Sequence, residues 1–344
     1  METFWFCAVA VMVAGYVVLD GFDLGAGILH LLVAKTPAER RAVLASIGPV
    51  WDGNEVWLLA AGGTLYFAFP ALYAAGFSGF YLPLMMVLWL LILRGISIEF
   101  RNHLEGPVWG PLWDAVFALA SALLAIFFGA ALGNVVRGVP LDASGYFFLP
   151  LWTDFSTGRD AGILDWYTIL IGVAAFLTLA EHGALWLVLK TEGMIEVRAR
   201  AIANRLWWAV LAAVLVITIV SFRVQPHLGE SFGARPWGYV FPLLAIAGLA
   251  LMKLTHSLRA FLGSCLFLVG MLTSVVFGVY PYVLPSNGDP ALSLTVTNAS
   301  APRYGLEVGM AWFLPGIALA IGYFVYTYRS FSGKVRVQPS TPHE

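Results

Sequence analysis

The chain of 344 residues is 60% hydrophobic and only 11% charged, with a mean hydropathy of +0.82. One soluble core cannot bury that much apolar surface, so the composition predicts an all-α integral membrane protein. The net charge is −1 and the chain has no basic stripe. Nucleic acid is therefore excluded as a partner.

Nine apolar runs approach or exceed the roughly 20 residues that a helix needs to cross a bilayer. They lie near residues 4–34, 45–69, 76–101, 113–137, 162–190, 203–223, 237–254, 258–281 and 306–329. Two polar stretches rich in Gly, Pro, Ser and Asn, 138–161 and 282–305, predict external loops. Residues 332–344 predict a disordered cytoplasmic tail.

The first and fifth runs carry polar residues in the same half of the span, at 20–23 and at 181–183. This likeness indicates a parallel repeat. It predicts one four-helix bundle over residues 1–137 and a second over 162–281. A peripheral final helix over 306–331 completes about nine membrane spans.

The Lys and Arg residues predict the orientation of the chain. When the runs are taken alternately, 14 of the 19 fall at one set of ends. The other five are Arg137, Arg159, Arg223, Arg235 and Arg303. This bias predicts an N-terminus outside and a C-terminus in the cytoplasm.

Four acids lie inside the first two spans, where a charged side chain is costly. Asp20 and Asp23 belong to the first span, and Asp52 and Glu55 to the second. Consecutive antiparallel helices usually pack together, so these acids are expected to meet at similar depth. One interpretation is a proton path, because neighbouring carboxylates can pass protons along. The other is a structural polar knot, in which Asp52 and Asn54 hydrogen-bond across helices.

Small residues accompany the acids at Gly21, Gly25 and Gly27, and at Gly53, 62 and 63 of the next span. Gly21 and Gly25 form a small-xxx-small pair, which lets two helix backbones approach closely. The string lacks the order of a nucleotide-binding glycine loop. It therefore predicts helix packing.

Arg94, Glu99 and Arg101 close the third span. Their spacing predicts a cytoplasmic ion-pair cluster that fixes the depth of the helix. The alternative is a contact with a partner subunit or an anionic lipid.

Only His30 and His182 of the six histidines fall inside the spans. They do not form a pair that faces a common haem from one helix, and no Cys/His cluster suits zinc. The sequence therefore predicts neither a haem nor a metal site in this chain.

Several stretches together resemble subunit II of the cytochrome bd family of quinol oxidases, including its cyanide-insensitive branch. They are VLDGFDLGAG at 18–27, WDGNEVWL at 51–58, AAGFSGFY at 74–81, RGISIEFR at 94–101, HGA at 182–184 and KTEG at 190–193. The resemblance implies a heterodimer in which subunit I binds haems b and d, oxidises quinol and reduces oxygen to water. It implies that subunit II carries no haem, stabilises its partner and supplies part of a cytoplasmic proton path.

The resemblance also implies roles for individual residues. The acid of its Trp-Asp-Gly-Asn motif maps onto Asp52, with Asp20 and Asp23 as neighbours on the proton path. Glu55 is placed on the same path as the second acid of the stretch at 51–58, without support from the resemblance. Trp51, Asn54 and Trp57 then support the motif or contact a quinone.

Further partners implied by the resemblance are membrane lipids and, in some members, a small single-helix subunit. Some members hold a structural quinone in subunit II. The expected location is the cytoplasmic membrane of a bacterium or archaeon. A function of another class also fits the buried acids, namely a proton- or cation-coupled secondary transporter.

Overall fold

The computed structural model describes residues 1–104, 106–158 and 160–337. Within them the chain forms twelve α-helices and one two-stranded hairpin. The helices are α1 Glu2–Val33, α2 Pro37–Ile47, α3 Trp51–Ala68, α4 Pro70–Gly79, α5 Tyr81–Phe100, α6 Trp109–Arg137, α7 Trp166–Lys190, α8 Met194–Val224, α9 His227–Ala234, α10 Val240–Leu254, α11 Leu258–Val279 and α12 Arg303–Ser330. The strands are β1 Tyr282–Leu284 and β2 Leu294–Thr295, paired antiparallel.

Eight helices of this part of the chain are long and apolar enough to cross a membrane. The number becomes nine when α3 and α4, which are bent by 120° at their junction, are counted together as one span. Pro70 begins α4, and Phe69 before it has a non-helical backbone. Proline disfavours helical geometry in the preceding residue, which explains the bend. The predicted all-α membrane fold with about nine spans is confirmed.

The polar stretch of the first span does not interrupt the helix. Helix α1 runs without a break for 32 residues through Asp20 and Asp23. A helix satisfies its backbone hydrogen bonds internally, so its polar residues need partners only for their side chains.

The second span begins later than the apolar run at 45–69 suggests. A separate short helix, α2, is held by a capping box in which the Thr36 hydroxyl accepts from Glu39 N. Helix α3 then begins at Trp51. The motif at 51–58 therefore occupies the start of a helix.

Helix α1 lies at the centre of the molecule and packs against α3, α6 and α7. It crosses α7 where Gly25 meets Gly183, with no side chain between the backbones. A Cβ on Gly25 would lie 2.6 Å from the Gly183 nitrogen, and one on Gly27 would overlap Ser121. The packing role predicted for these glycines is confirmed at both positions, whereas Gly62 has no neighbour within 4 Å of its Cβ position.

The end of the bundle where α1, α5 and α7 finish is called the basic end here, since Lys35, Arg101 and Lys190 lie there. Residues 331–337 form the C-terminal segment, which returns to this end. Val335 N donates to the Lys190 carbonyl at 2.7 Å, and Lys190 Nζ donates to Phe331 O at 2.7 Å. The prediction of a disordered tail is therefore wrong for residues 332–337. Positions 338–344 lie outside the described residues.

Candidate functional site

Asp20 and Arg94 form a buried two-point ion pair between α1 and α5. Arg94 Nη1 donates to Asp20 Oδ2 at 2.9 Å, and Nη2 donates to Oδ1 at 2.7 Å. Both residues are 0% exposed. Glu55 of α3 lies 3.3 Å from the same guanidinium. Planar two-point pairing fixes both distance and orientation, so one arginine joins three helices.

Asp23 lies one helical turn beyond Asp20, but its surroundings differ. Asn54 Nδ2 donates to Asp23 Oδ2 at 2.8 Å and to the Leu19 carbonyl at 3.1 Å. The Asn54 carbonyl oxygen accepts from the Tyr328 hydroxyl of α12 at 2.9 Å. Asp23 is 1% exposed, and its Oδ1 has no hydrogen-bond partner in the described part of the chain. Asp20, Asp23, Asn54, Glu55 and Arg94 are called the buried network below.

Asp52 does not belong to the buried network. Its side chain is exposed and makes no hydrogen bond to any described residue. Asn54 and Glu55 face α1 and α5 instead. Two residues turn an α-helix by about 200°, so Asp52 and Asn54 point to opposite sides of α3. The expectation that Asp52 meets the acids of the first span is therefore wrong, and so is its share in the polar knot.

The two tryptophans of the motif pack against neighbouring helices. The Trp51 ring lies beside Gly95 of α5, where a Cβ would be 3.5 Å away. A Cβ on Gly15 of α1 would lie 3.2 Å from the Trp57 ring. The Trp57 ring also contacts Phe324 of α12. These tryptophans hold α3 in place between its neighbours.

The predicted ion-pair cluster of Arg94, Glu99 and Arg101 does not form. Arg94 points into the protein towards Asp20, and Arg101 donates to Asp114 instead. Glu99 is exposed and has no ion-pair partner among the described residues. Arg94 and Arg101 each pair with a buried acid of another helix, so neither forms an ion pair with Glu99.

A second group of charged residues lies at the basic end, called the Asp114 cluster. Asp114 of α6 accepts from Arg101 Nε at 2.6 Å and from Arg40 Nη1 at 3.0 Å. Its Oδ1 is also 2.7 Å from His30 Nε2. Asp114 is 1% exposed. Asp114 is not among the residues predicted from the sequence, although it is an acid inside an apolar run, as Asp20 and Asp23 are.

Residues 1–331 match the family model for cytochrome bd terminal oxidase subunit II. The chain belongs to this family. The resemblance seen in the sequence motifs is confirmed, and membership favours an oxidase subunit over a transporter.

Three relatives and one solved structure agree with this assignment. The probable cytochrome oxidase subunit 2 of Haemophilus influenzae is 31% identical, over 96% of this chain and 94% of the relative. Cytochrome bd-I ubiquinol oxidase subunit 2 of Escherichia coli K12 is 30% identical with the same coverage. Cytochrome bd ubiquinol oxidase subunit 2 of Bacillus subtilis is 31% identical over 97% of both chains. The bd oxidase of Geobacillus thermodenitrificans shares the fold, with a TM-score of 0.70 and 20% identity over 96% of this chain and 98% of that chain.

The two histidines inside the spans of this subunit II chain are engaged by protein atoms. His30 Nε2 pairs with Asp114, while His182 Nδ1 lies 2.7 Å from Ser264 Oγ and Nε2 lies 2.9 Å from the Val18 carbonyl. Glu181 beside it is 1% exposed. Among the described residues, no group of three or more His, Cys, Asp or Glu could hold a metal ion. His182 thus bridges α7, α11 and α1 through both ring nitrogens.

Glu39 joins α2 of the subunit to α8 at the basic end, outside the membrane spans. Burial raises the pKa of its carboxyl, but hydrogen bonds from Lys35 N, Arg198 and Thr36 N outweigh that effect. The resulting pKa of Glu39 lies below its ordinary value of 4.5. Arg198 Nη1 is 2.9 Å from Glu39 Oε2 and also donates to the Val33 carbonyl at 2.8 Å. These contacts fix the ends of α1, α2 and α8 relative to one another.

Proposed function

We propose that this chain is the non-haem subunit of a bd-type quinol:oxygen oxidoreductase. In this proposal it stabilises a subunit I that holds haems b and d, and it contributes a proton path to the oxygen-reducing site. Family membership supports the proposal, as do the Escherichia coli and Bacillus subtilis relatives, which are subunits of ubiquinol oxidases.

The observation that carries the proposal is the position of Asp52. It lies on an exposed face of α3 with Val56 and Leu59, both large exposed apolar residues at helical spacing. Asp52 lies in the first turn of α3, and the exposed apolar residues continue from it along the same face. A protein partner can cover such a face and also give the carboxylate polar contacts, which lipid tails cannot do. We therefore assign the face to the haem-bearing subunit, so that Asp52 lies at the boundary between the two subunits.

Glu55 offers a connection from this boundary to the interior. It lies one helical turn from Asp52, and 23% of its side-chain surface is exposed. Its other contact is Arg94, which also holds Asp20. Asp52 and Glu55 thus form a series of acids from the subunit boundary to the buried network. Such a series can accept and release protons one residue at a time.

The proposed direction of proton uptake follows from the bias of the Lys and Arg residues. The ends that hold 14 of the 19 basic residues are expected to face the cytoplasm. The first turn of α3, with Asp52, begins on that side. Protons used in oxygen reduction must come from the cytoplasm if the reaction is to generate a membrane potential. Asp52 is suitably placed to take them up.

The test of this proposal is Asp52→Asn in the assembled oxidase, with oxygen consumption measured under saturating quinol. We expect turnover to fall about tenfold or more, as when a positioned proton-transfer group is removed. Asp52→Glu should retain most activity because it keeps the carboxyl group. Glu99→Gln is the matched control, since Glu99 is another exposed acid at the basic end.

Two measurements distinguish a loss of assembly from a loss of turnover. The visible spectrum of the purified complex shows whether the haem-bearing subunit is bound, and turnover is expressed per haem. Normal haem content with normal turnover in Asp52→Asn would contradict the proton role. The chain would then act as an assembly partner only, a role that the buried network supports by joining α1, α3 and α5.

A further inference from the structure

A pocket of about 230 Å³ opens at the basic end, next to the C-terminal segment. Its walls are the turn between α2 and α3, the last turns of α7 and α12, and residues 331–335. Polar residues contribute much of the lining, namely Ser46, Lys190, Ser330, Ser332 and Lys334. One water molecule needs only about 10–15 Å³ of such volume together with polar partners. The pocket therefore suits several water molecules.

Tyr328 lies at the boundary between this pocket and the buried network. It is one of the residues that line the pocket, and its hydroxyl donates to Asn54 Oδ1 at 2.9 Å. The amide of Asn54 donates in turn to Asp23 Oδ2 at 2.8 Å. Two consecutive hydrogen bonds thus separate the pocket from a carboxyl group that is 1% exposed.

The Oδ1 atom of Asp23 has no hydrogen-bond partner among the described residues, unlike the carboxylate oxygens of Asp20. Asp20 has Arg94 as its cation, whereas Asp23 contacts only the neutral amide of Asn54, and its Oδ1 has no partner among the described residues. A buried carboxyl group without a cation is far less costly as the neutral acid. The hydrogen-bond chain from Asp23 runs through Asn54 to Tyr328, which is a residue of the pocket wall.

We propose that this pocket is a proton inlet within subunit II, and that Tyr328 is the gate between its water and Asp23. With the hydroxyl bonded to Asn54, the ring separates the pocket from the buried network. When that bond breaks and the ring moves aside, water reaches Asp23 Oδ1 and gives or takes one proton. The inlet rests on the proposed function for its use in oxygen reduction. It differs from the Asp52 route because it begins under the C-terminal segment and not at the subunit boundary.

The test measures hydrogen–deuterium exchange at the carboxyl group of Asp23 in the whole resting oxidase. Infrared spectroscopy follows the carbonyl stretch of the protonated acid after transfer into D₂O. Asp23→Asn should remove the band, which assigns it. If that variant does not assemble, Asp23→Glu should shift the band and serve the same purpose.

Tyr328→Phe removes the hydroxyl and keeps the ring. Loss of one hydrogen bond of ordinary strength should make exchange about fivefold faster. Tyr328→Ala removes the ring as well and should make exchange faster still, since water can then fill the space. Tyr326→Phe is the matched control, because Tyr326 belongs to the same helix and is 71% exposed. It should leave the rate unchanged.

Exchange that is unchanged or slower in both Tyr328 variants would overturn the gate, and so would the lack of a protonated band that depends on Asp23. These outcomes are separate from those of the proposed function, because exchange in the resting complex needs no turnover. Normal exchange in the Tyr328 variants with low turnover in Asp52→Asn would reject the inlet and keep the function. Faster exchange in the Tyr328 variants with normal turnover in Asp52→Asn would keep the inlet and reject the proton role of Asp52.

Discussion

Asp114 and Asp23 are both 1% exposed, yet the protein surrounds them in opposite ways. Asp114 accepts hydrogen bonds from two arginines and pairs with His30. Asp23 has one neutral amide partner and an oxygen without one in the described structure. A carboxylate surrounded by cations is held in its charged form and serves as a structural anchor. A carboxyl group without a cation is free to change its protonation state, so the comparison separates stability from proton transfer.

The largest expected effect comes from Arg94→Ala, which removes the cation of the buried network. Asp20 would be left buried without its partner, and removing one member of a buried ion pair costs about 3–5 kcal/mol. We expect poor assembly and a markedly lower melting temperature of the purified complex. Adding Asp20→Asn to this variant should restore part of the loss, because it removes the carboxyl group that was left without its partner. Arg303→Ala is the control, as Arg303 lies on the surface with 80% of its side chain exposed.

The next effect sharpens the comparison directly. Asp114→Asn leaves the arginines of the Asp114 cluster without their anion, so stability should fall by about 3 kcal/mol, with little change in turnover per haem. Asp23→Asn keeps the shape of the side chain and removes no ion pair. Its stability should stay within about 1 kcal/mol of the wild type, while its turnover falls. Thermal unfolding and oxygen consumption of both variants test this. Equal stability losses would show that Asp23 is an anchor too.

The smallest expected effect concerns Glu39, whose pKa in the folded protein lies below the ordinary value of 4.5. The charged form is favoured on folding, so its contribution is present above pH 4.5 and is lost as the pH falls through the folded pKa. Glu39→Gln should therefore lower stability by about 0.5–1 kcal/mol at neutral pH. The difference from wild type should vanish in acid, below both pKa values. A difference that persists there would point to packing instead of charge.

The fold was accessible from sequence because apolar runs of sufficient length have few other structures in a bilayer. The bend at Phe69 also had a local signal in Pro70, although the apolar run continues through it. The capping box at Thr36 and Glu39, which begins α2 after the end of α1, also has a local signal in the sequence. The C-terminal segment had no comparable signal. Its position depends on contacts with Lys190 and Glu196, far away in the chain.

The site was only partly accessible. The acids of α1 and the motif at 51–58 could be identified because a charged side chain inside a membrane helix costs free energy and is usually functional. The partners could not be deduced, because the helical register at the start of α3 decides whether Asp52 or Asn54 faces α1. Tyr328 lies 274 positions from Asn54, and Asp114 lies 84 positions from His30. Such pairings depend on three-dimensional packing, which the spacing of residues in one sequence does not specify.

The contact between Gly25 and Gly183 limits how the subunit can move during turnover. Their backbones touch, so α1 and α7 cannot come closer, and a separation would open a void in the middle of the protein. A change in the crossing angle of the two helices would keep this contact in place. A small rotation would move Asp23, two residues from the pivot, very little. It would displace the distant ends of α1 and α7 much more. The close backbone contact therefore favours a fixed position for Asp23.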